Sequence, residues 1–388
     1  MSTTNSILEV PAVPADFGFT EEHALARGEA RRFLEDRSPM SEIRRLAEDE
    51  TGFDRTLFSD IAKLGWLGLA APTELGGLGL DDLHLVLLME EMGRVLLASP
   101  YFGSLLALFA IEQAGSAAQQ KALAPPIIRG DRIATFALAE PEGSFEPGEL
   151  STTAEPAGSG FVIRGTKTHV LFGNVADACV VPCRESAGGT SLFVVDLPVD
   201  GARIELEKPL DTTRRMARIT FDGVRVASSA RLEGDAAAAL SATHLFGALM
   251  LAAEMTGGIE RTLGITRDYA ATRIQFGRPI GAFQAVKHPI VDMMIGCEYA
   301  RSLAVGAAVA RKSDPVRAEA LARSAKAHAG DAFLFASKKG VQLHGGFGFT
   351  WDCDVHFYFK RALWSRVTLG DGAFHRRHIA RMILDTDQ

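Results

Sequence analysis

Apolar positions recur at helical spacing through the first third of the chain. Phe33, Leu34 and Ile43 stand among charged residues, and Ile61, Leu64, Leu67 and Leu69 follow at near-helical steps. Residues 83–92 and 105–113 read as further helices, whereas residues 72–80, with Gly76, Gly77 and Gly79, must form a loop, because glycine is costly inside a helix. From residue 133 onward the pattern shortens to runs bounded by turn residues, the mark of β-structure. Residues 161–163, 179–181, 192–195 and 218–221 are the clearest strands, separated by turn chemistry at Gly158 and Gly160, Gly188 and Gly189, Asp200 and Gly201, and Asp222 and Gly223. Helices return after Ala236. One spans residues 240–273, with Leu245, Leu249, Ala252, Met255, Ile259 and Leu263 on a single stripe, and another opens at Ser313 or Asp314 as N-cap with Pro315 in its first turn.

Three domains follow from this pattern. An all-α N-terminal domain takes residues 1–132, a small central β-barrel domain residues 133–234, and a C-terminal four-helix bundle residues 235–388. With 388 residues, 47% hydrophobic and 23% charged, the chain can bury a large core and lies outside the disordered classes. Lys plus Arg is 41 against 48 for Asp plus Glu, and no segment concentrates the cations, which excludes a nucleic-acid partner from the expectation. The apolar run 105–111 is far shorter than the roughly 20 residues of a bilayer span, and 245–255 is interrupted by Glu254, so no membrane span is expected. Residues 1–14 lack the basic start and apolar stretch of an export signal, which makes a soluble cytoplasmic protein the expectation. Cys179 and Cys183 are the only close pair of the four cysteines and have no neighbouring Cys or His, so reduced packing thiols are expected and no metal site.

Three segments could carry chemistry. Arg273-Ile274-Gln275-Phe276-Gly277-Arg278-Pro279-Ile280-Gly281-Ala282-Phe283-Gln284 joins two helices. Its glycines and proline explain a turn, but Arg273, Gln275 and Gln284 add a forked cation and two amides suited to a pyrophosphate and a polar ring; a solvated helix end is the plainer alternative. Gln342-Leu343-His344-Gly345-Gly346 has a glycine pair that lets backbone come close to a ligand or another chain, without the strand or the spacing of a dinucleotide-binding turn. Leu138-Ala139-Glu140-Pro141-Glu142-Gly143-Ser144 starts the β-zone, where Glu140-Pro141 imposes extended backbone and leaves amides and the Ser144 hydroxyl for an outside partner, unless this is an ordinary loop.

Taken together and in this order, these segments resemble the acyl-CoA dehydrogenase family of flavoproteins over nearly the whole chain. Gly68-Leu69-Ala70-Ala71-Pro72-Thr73-Glu74-Leu75-Gly76-Gly77 and Glu90-Glu91-Met92-Gly93-Arg94 look like its amino-terminal helical domain, and Gly165-Thr166-Lys167 like its β-domain flavin strand. The resemblance implies FAD as cofactor, bordered by Leu138, Ala139, Ser144 and His169. Arg273, Gln275, Phe276, Phe283, Gln284, Gln342, Gly345 and Gly346 would contact the FAD of a neighbouring subunit, so a complete site implies a homodimer or homotetramer. The family usually has Trp where His169 stands.

The family reaction desaturates an acyl-CoA substrate at the α,β bond and passes electrons to an electron-transfer flavoprotein. It needs a glutamate base, and an ungapped count from the double glycine puts Leu369 there, while the alternative position on the long helix is Gly247. Asp371 and Glu254 are the remaining catalytic candidates: Asp371 could be a base, a flavin contact or a turn former, and Glu254 a base or one half of an ion pair. Asp352 is expected to cap the segment that follows it. Ala248 replaces the arginine that usually follows the alternative base, and with Gly247 it suggests room for a bulky acyl group. The readings, in order, are a dehydrogenase, a non-catalytic flavin-binding partner in a mixed tetramer, and a flavin oxidase or monooxygenase on the same scaffold.

Overall fold

The computed structural model describes residues 18–186 and 188–384; the 1–14 segment read for an export signal lies outside them. In chain order the helices are α1 (Glu21–Arg37), α2 (Met40–Glu48), α3 (Arg55–Lys63), α4 (Asp82–Arg94), α5 (Tyr101–Ala114) and α6 (Ala117–Ile128). Strands β1 (Ala134–Phe136), β2 (Thr153–Ala157), β3 (Gly160–Leu171), β4 (Ala178–Glu185), β5 (Thr190–Asp196), β6 (Ala202–Leu206) and β7 (Met216–Ala227) follow. The chain then runs through α7 (Ala236–Thr272), the short strands β8 (Ile274–Gln275) and β9 (Arg278–Pro279), α8 (Gln284–Ala310), α9 (Pro315–Leu343), α10 (Val355–Val367) and α11 (Gly372–Leu384).

Local chemistry sets several of these ends. Asp314 is the N-cap of α9, its carboxylate accepting from Arg317 N at 3.0 Å, with Pro315 in the first turn as its fixed φ favours. The spacing of Leu64, Leu67 and Leu69 suggests a helix running past Lys63, but α3 stops there, because Gly65 turns the chain with φ +77° into a short 3₁₀ turn. The C-terminal part holds five helices rather than four, the last two of 13 residues each.

Contacts divide the chain into two compact units that cut across its linear order. One unit comprises residues 41–80 and 98–247. Its sheet runs β1-β4-β2-β3-β7-β6, with β5 added to β4; β4 pairs in parallel with β1 and β2, and the remaining ladders are antiparallel. Alternating residues of these strands, Ile163, Val181, Phe193, Ile219 and Phe221 among them, form a dry core. Helix α5 lies on β1, where Ser104 Oγ donates to Ala134 O at 2.9 Å, and Arg215 donates from Nε to the Asp49 carbonyl at 3.0 Å beyond α2.

The other unit gathers the chain up to Met40, residues 81–97 and everything from Ala248 on, so α1 and α4 group with the C-terminal helices rather than with α2, α3, α5 and α6. Two glycines allow this. A side chain on Gly93 of α4 would fall 1.9 Å from the Glu254 carbonyl of α7, and one on Gly257 1.8 Å from the Glu90 carbonyl, so the helices cross backbone to backbone. Around that crossing Glu90, Glu91 and Glu260 are paired with Arg27, Arg31, Arg94 and Arg301. Helix α7 is long and apolar enough to cross a membrane, a feature the interruption at Glu254 had argued against, but 72% of its apolar window is buried within the protein, as in a core helix.

Candidate functional site

In the sheet-bearing unit, the loop after β1 is tied to a distortion in β3. The β3–β7 register shifts between Lys167 and Val170, and in that bulge His169 adopts φ +54°, a left-handed conformation that costs a non-glycine residue about 1 kcal/mol. Glu207 holds it: Oε2 lies 2.6 Å from His169 Nδ1, and Oε1 accepts from His169 N at 3.3 Å. Thr168 N donates to Ala139 O at 2.8 Å. Half-buried Leu138 and Ala139 are thereby brought beside exposed His169. Next to them Lys167 Nζ meets Glu140 Oε1 at 2.7 Å, both buried. Burial alone would raise the Glu140 carboxyl, but the Lys167 charge and hydrogen bonds from Lys167, Thr152 and Ser151 outweigh it and hold it at about 2.

Ser144 departs from the expectation of a free hydroxyl. Its Oγ donates to Glu149 Oε2 at 2.6 Å and accepts from Glu146 N at 3.1 Å, closing a local turn of its own, because a serine followed by acceptors in a loop satisfies itself first.

In the helical unit, β8 and β9 form a hairpin whose two central residues, Phe276 and Gly277, both have positive φ, as a type I′ turn requires. Phe276 at φ +52° is 90% exposed. Its ring stands edge-on to Phe283 at 5.9 Å, with Arg278 over the Phe283 ring at 4.3 Å. Arg273, Gln275 and Gln284 are also exposed, and Gln275 Nε2 donates only to the Ile274 carbonyl. The second motif joins this one through Tyr269 of α7, which the sequence did not single out: its ring stacks on His344 at 4.3 Å and its hydroxyl donates to His344 O at 3.4 Å. An aromatic four residues before Arg273 on the same helix was the available signal. Gln342, Gly345 and Gly346 are exposed beside it, next to a cavity of ≈ 420 Å³ lined by Gln342, Lys338, Trp351 and Lys360.

These residues fit a flavin dinucleotide. An exposed guanidinium and three exposed amides suit a pyrophosphate and a base, and two aromatic faces suit planar rings. Gly345 needs glycine for its φ of +62°, but Gly346 has ordinary φ and nothing within 4 Å of a would-be side chain, so no contact among the described residues requires it to be bare.

The candidate bases have other partners. Glu254 Oε1 accepts from Arg361 at 2.7 Å, with both side chains almost wholly buried. Asp371 is the cap of α11: Oδ1 accepts from Phe374 N at 2.8 Å. Leu369 has φ +57°, and its carbonyl accepts from His375 Nε2 at 2.9 Å. Buried Lys326 donates to the Arg366 and Gly370 carbonyls at 3.1 and 2.8 Å, fixing the same turn. Asp352 is exposed, and the residue before α10 is Asp354, whose side chain makes no cap hydrogen bond. All four cysteines are free and buried. His23, Asp81 and His84 lie close enough together to hold a metal ion, a grouping the sequence did not bring out. Two helix starts explain it, since Thr20 and Asp81 are the N-caps of α1 and α4 and each histidine sits three residues on.

Family models for the acyl-CoA dehydrogenase N-terminal, middle and C-terminal domains match residues 20–131, 135–224 and 222–384. The acyl-CoA dehydrogenase FadE27 of Mycobacterium tuberculosis is 33% identical over 353 residues, covering 88% of this chain and 92% of that protein. Among solved structures, the ChsE4-ChsE5 complex from Mycobacterium tuberculosis matches with a TM-score of 0.88 at 31% identity, covering 96% of this chain and 100% of the matched one. A variant of the Tcur3481-Tcur3483 steroid ACAD matches with a TM-score of 0.85 at 31% identity, covering 94% and 98%.

Proposed function

Because the chain belongs to the acyl-CoA dehydrogenase family, whose members are FAD-dependent oxidoreductases, we propose that it is the flavin-binding, base-lacking chain of a mixed acyl-CoA dehydrogenase. A second, related chain brings the glutamate. The observation that carries this reading is the fate of the carboxylates: Glu254 is spent on Arg361 and Asp371 caps α11, while by the family resemblance Leu369 and Gly247 would stand at the two base positions. A general base must reach the proton it abstracts, and a carboxylate committed to a buried ion pair is held away from that work. A self-sufficient dehydrogenase using Asp371 is the second reading, favoured by the glycine-flanked place of Asp371 close to Leu369. Two of the similar solved structures carry paired chain names, which supports a two-chain assembly.

Bound FAD supplies the hydride acceptor for α,β-desaturation. Leu138, Ala139 and His169 would border the flavin ring from the sheet. Arg273, Gln275, Phe276, Phe283, Gln284, Gln342, Gly345 and Gly346 would hold the dinucleotide of the neighbouring chain, which makes each chain incomplete alone. For substrate we propose a bulky, ring-bearing acyl-CoA, on the strength of the small Gly247 and Ala248 and the likeness to a steroid ACAD. An electron-transfer flavoprotein is the proposed acceptor, and the cytoplasm the proposed site of action.

The test is the visible absorption spectrum, recorded anaerobically, of the chain alone and of the chain co-expressed with a glutamate-bearing relative, each mixed with thioesters from butyryl-CoA to polycyclic acyl-CoA. The expected result is flavin bleaching by bulky thioesters in the mixed complex only. Full bleaching of the chain alone would overturn the reading.

A further inference from the structure

The loop after β1 that carries Leu138 and Ala139 and the β3 bulge that carries His169 are joined by a buried ion pair that abstraction of the proton does not use. Lys167 is fully buried, and among the described residues Glu140 is the one acceptor its Nζ reaches. Glu140 in turn is saturated: Oε2 accepts from Ser151 N at 2.5 Å and Ser151 Oγ at 2.7 Å, while Oε1 accepts from Thr152 N at 3.0 Å and from Lys167. Adjacent residues are thus joined twice, side chain to side chain at 140 and 167 and backbone to backbone at 139 and 168.

We propose that Lys167 is a positioning residue of the flavin site: through Glu140 it fixes the loop at 138–144 against the β3 bulge, setting the Leu138 and Ala139 backbone and the His169 ring in place before flavin binds. The proposal rests on the reading that this chain holds FAD. Stability is a poor reason for the pair, since two buried charges seldom outperform apolar residues of the same volume. What the pair adds is direction. A carboxylate with four donors can sit in one place only, and the buried ammonium, close to Cys179 and Cys183, reaches no other acceptor among the described residues. Beside this clamp, His169 keeps its left-handed backbone, a conformation that persists only where the surroundings over-determine it.

The experiment compares the full chain with the double variant Lys167→Met, Glu140→Gln, because Lys167→Met alone strands a buried carboxylate and endangers folding. Hydrogen exchange without flavin is read at the amides of Ser151, Thr152 and Thr168, and the FAD dissociation constant and visible circular dichroism are read with it. Val224→Ala, in the sheet core away from the loop, controls for plain loss of stability. The expected result is about tenfold faster exchange at the three amides, about tenfold weaker FAD binding and an altered flavin dichroism in the double variant, with all three unchanged in Val224→Ala. Wild-type exchange and dichroism in the double variant would overturn the proposal, as would an equal loss of flavin in Val224→Ala. FAD binding is read on the complex with a glutamate-bearing relative; if the wild-type complex takes up no FAD, the flavin reading fails with the site role of Lys167, and the exchange data separately decide whether the pair holds the loop.

Discussion

Removing Arg361 would take from the buried Glu254 carboxylate its 2.7 Å ion-pair partner. The expected cost of Arg361→Met is about 3–5 kcal/mol in urea unfolding, and the added change Glu254→Gln should recover most of it, since a neutral pair owes no desolvation. Asp371→Ala should cost about 1 kcal/mol through the lost cap of α11 while leaving flavin reduction in a mixed complex unchanged; a fall in turnover without a fall in stability would restore Asp371 as the base. Local bonds of this size are legible in a sequence and distant ones are not. Asp314 could be named as a cap because its partner is three residues away, whereas Arg361 lies 107 residues from Glu254 and only the packing of α10 on α7 selects it. The bonds of Ser144 were hidden for the opposite reason: its partners, Glu146 and Glu149, lie so near along the chain that no long-range pattern marks them.

At the scale of elements, the β8–β9 hairpin shows the clearest conflict between local preference and use. A type I′ turn favours Asn or Gly at its first central position, and this chain puts a phenylalanine there and leaves its ring in solvent. Phe276→Gly should therefore leave the melting temperature unchanged or raise it, by up to about 1 kcal/mol of relieved strain, while flavin content after gel filtration of the assembled protein drops. Retained flavin would remove Phe276 from the site. The two glycines and the proline announced this turn in the sequence, as short runs bounded by turn residues announced β3, β4, β5 and β7. Where α3 ends was hidden, because apolar spacing continues through Gly65 and only the backbone angle there breaks it.

For the whole molecule, pH is the informative variable. Burial drives Lys326 down to about 7 against the pull of Asp371, while the unfolded chain keeps its ordinary value near 10.5. Between those limits the unfolded state binds more protons, so stability rises with pH, at roughly 1 kcal/mol per unit. Burial pushes Cys179, Cys183 and Cys297 up to about 12 from 9.0, so above pH 9 the unfolded state sheds protons first and stability falls. The denaturation midpoint should climb from pH 7 to 9 and decline beyond it, and Lys326→Met should abolish the climb. The division into two units was not legible at all, since α1 and α4 join α7 through backbone contact at Gly93 and Gly257, and a sequence carries no label for which helix a glycine is bare for. Gly346 carries this lesson beyond the single chain. Its open surroundings make Gly346→Ala silent in every assay of the isolated polypeptide, so a screen that ranks variants by solubility or heat resistance would pass it as harmless. Its penalty would surface only in the assembled protein, as cofactor lost from a chain whose own fold is untouched.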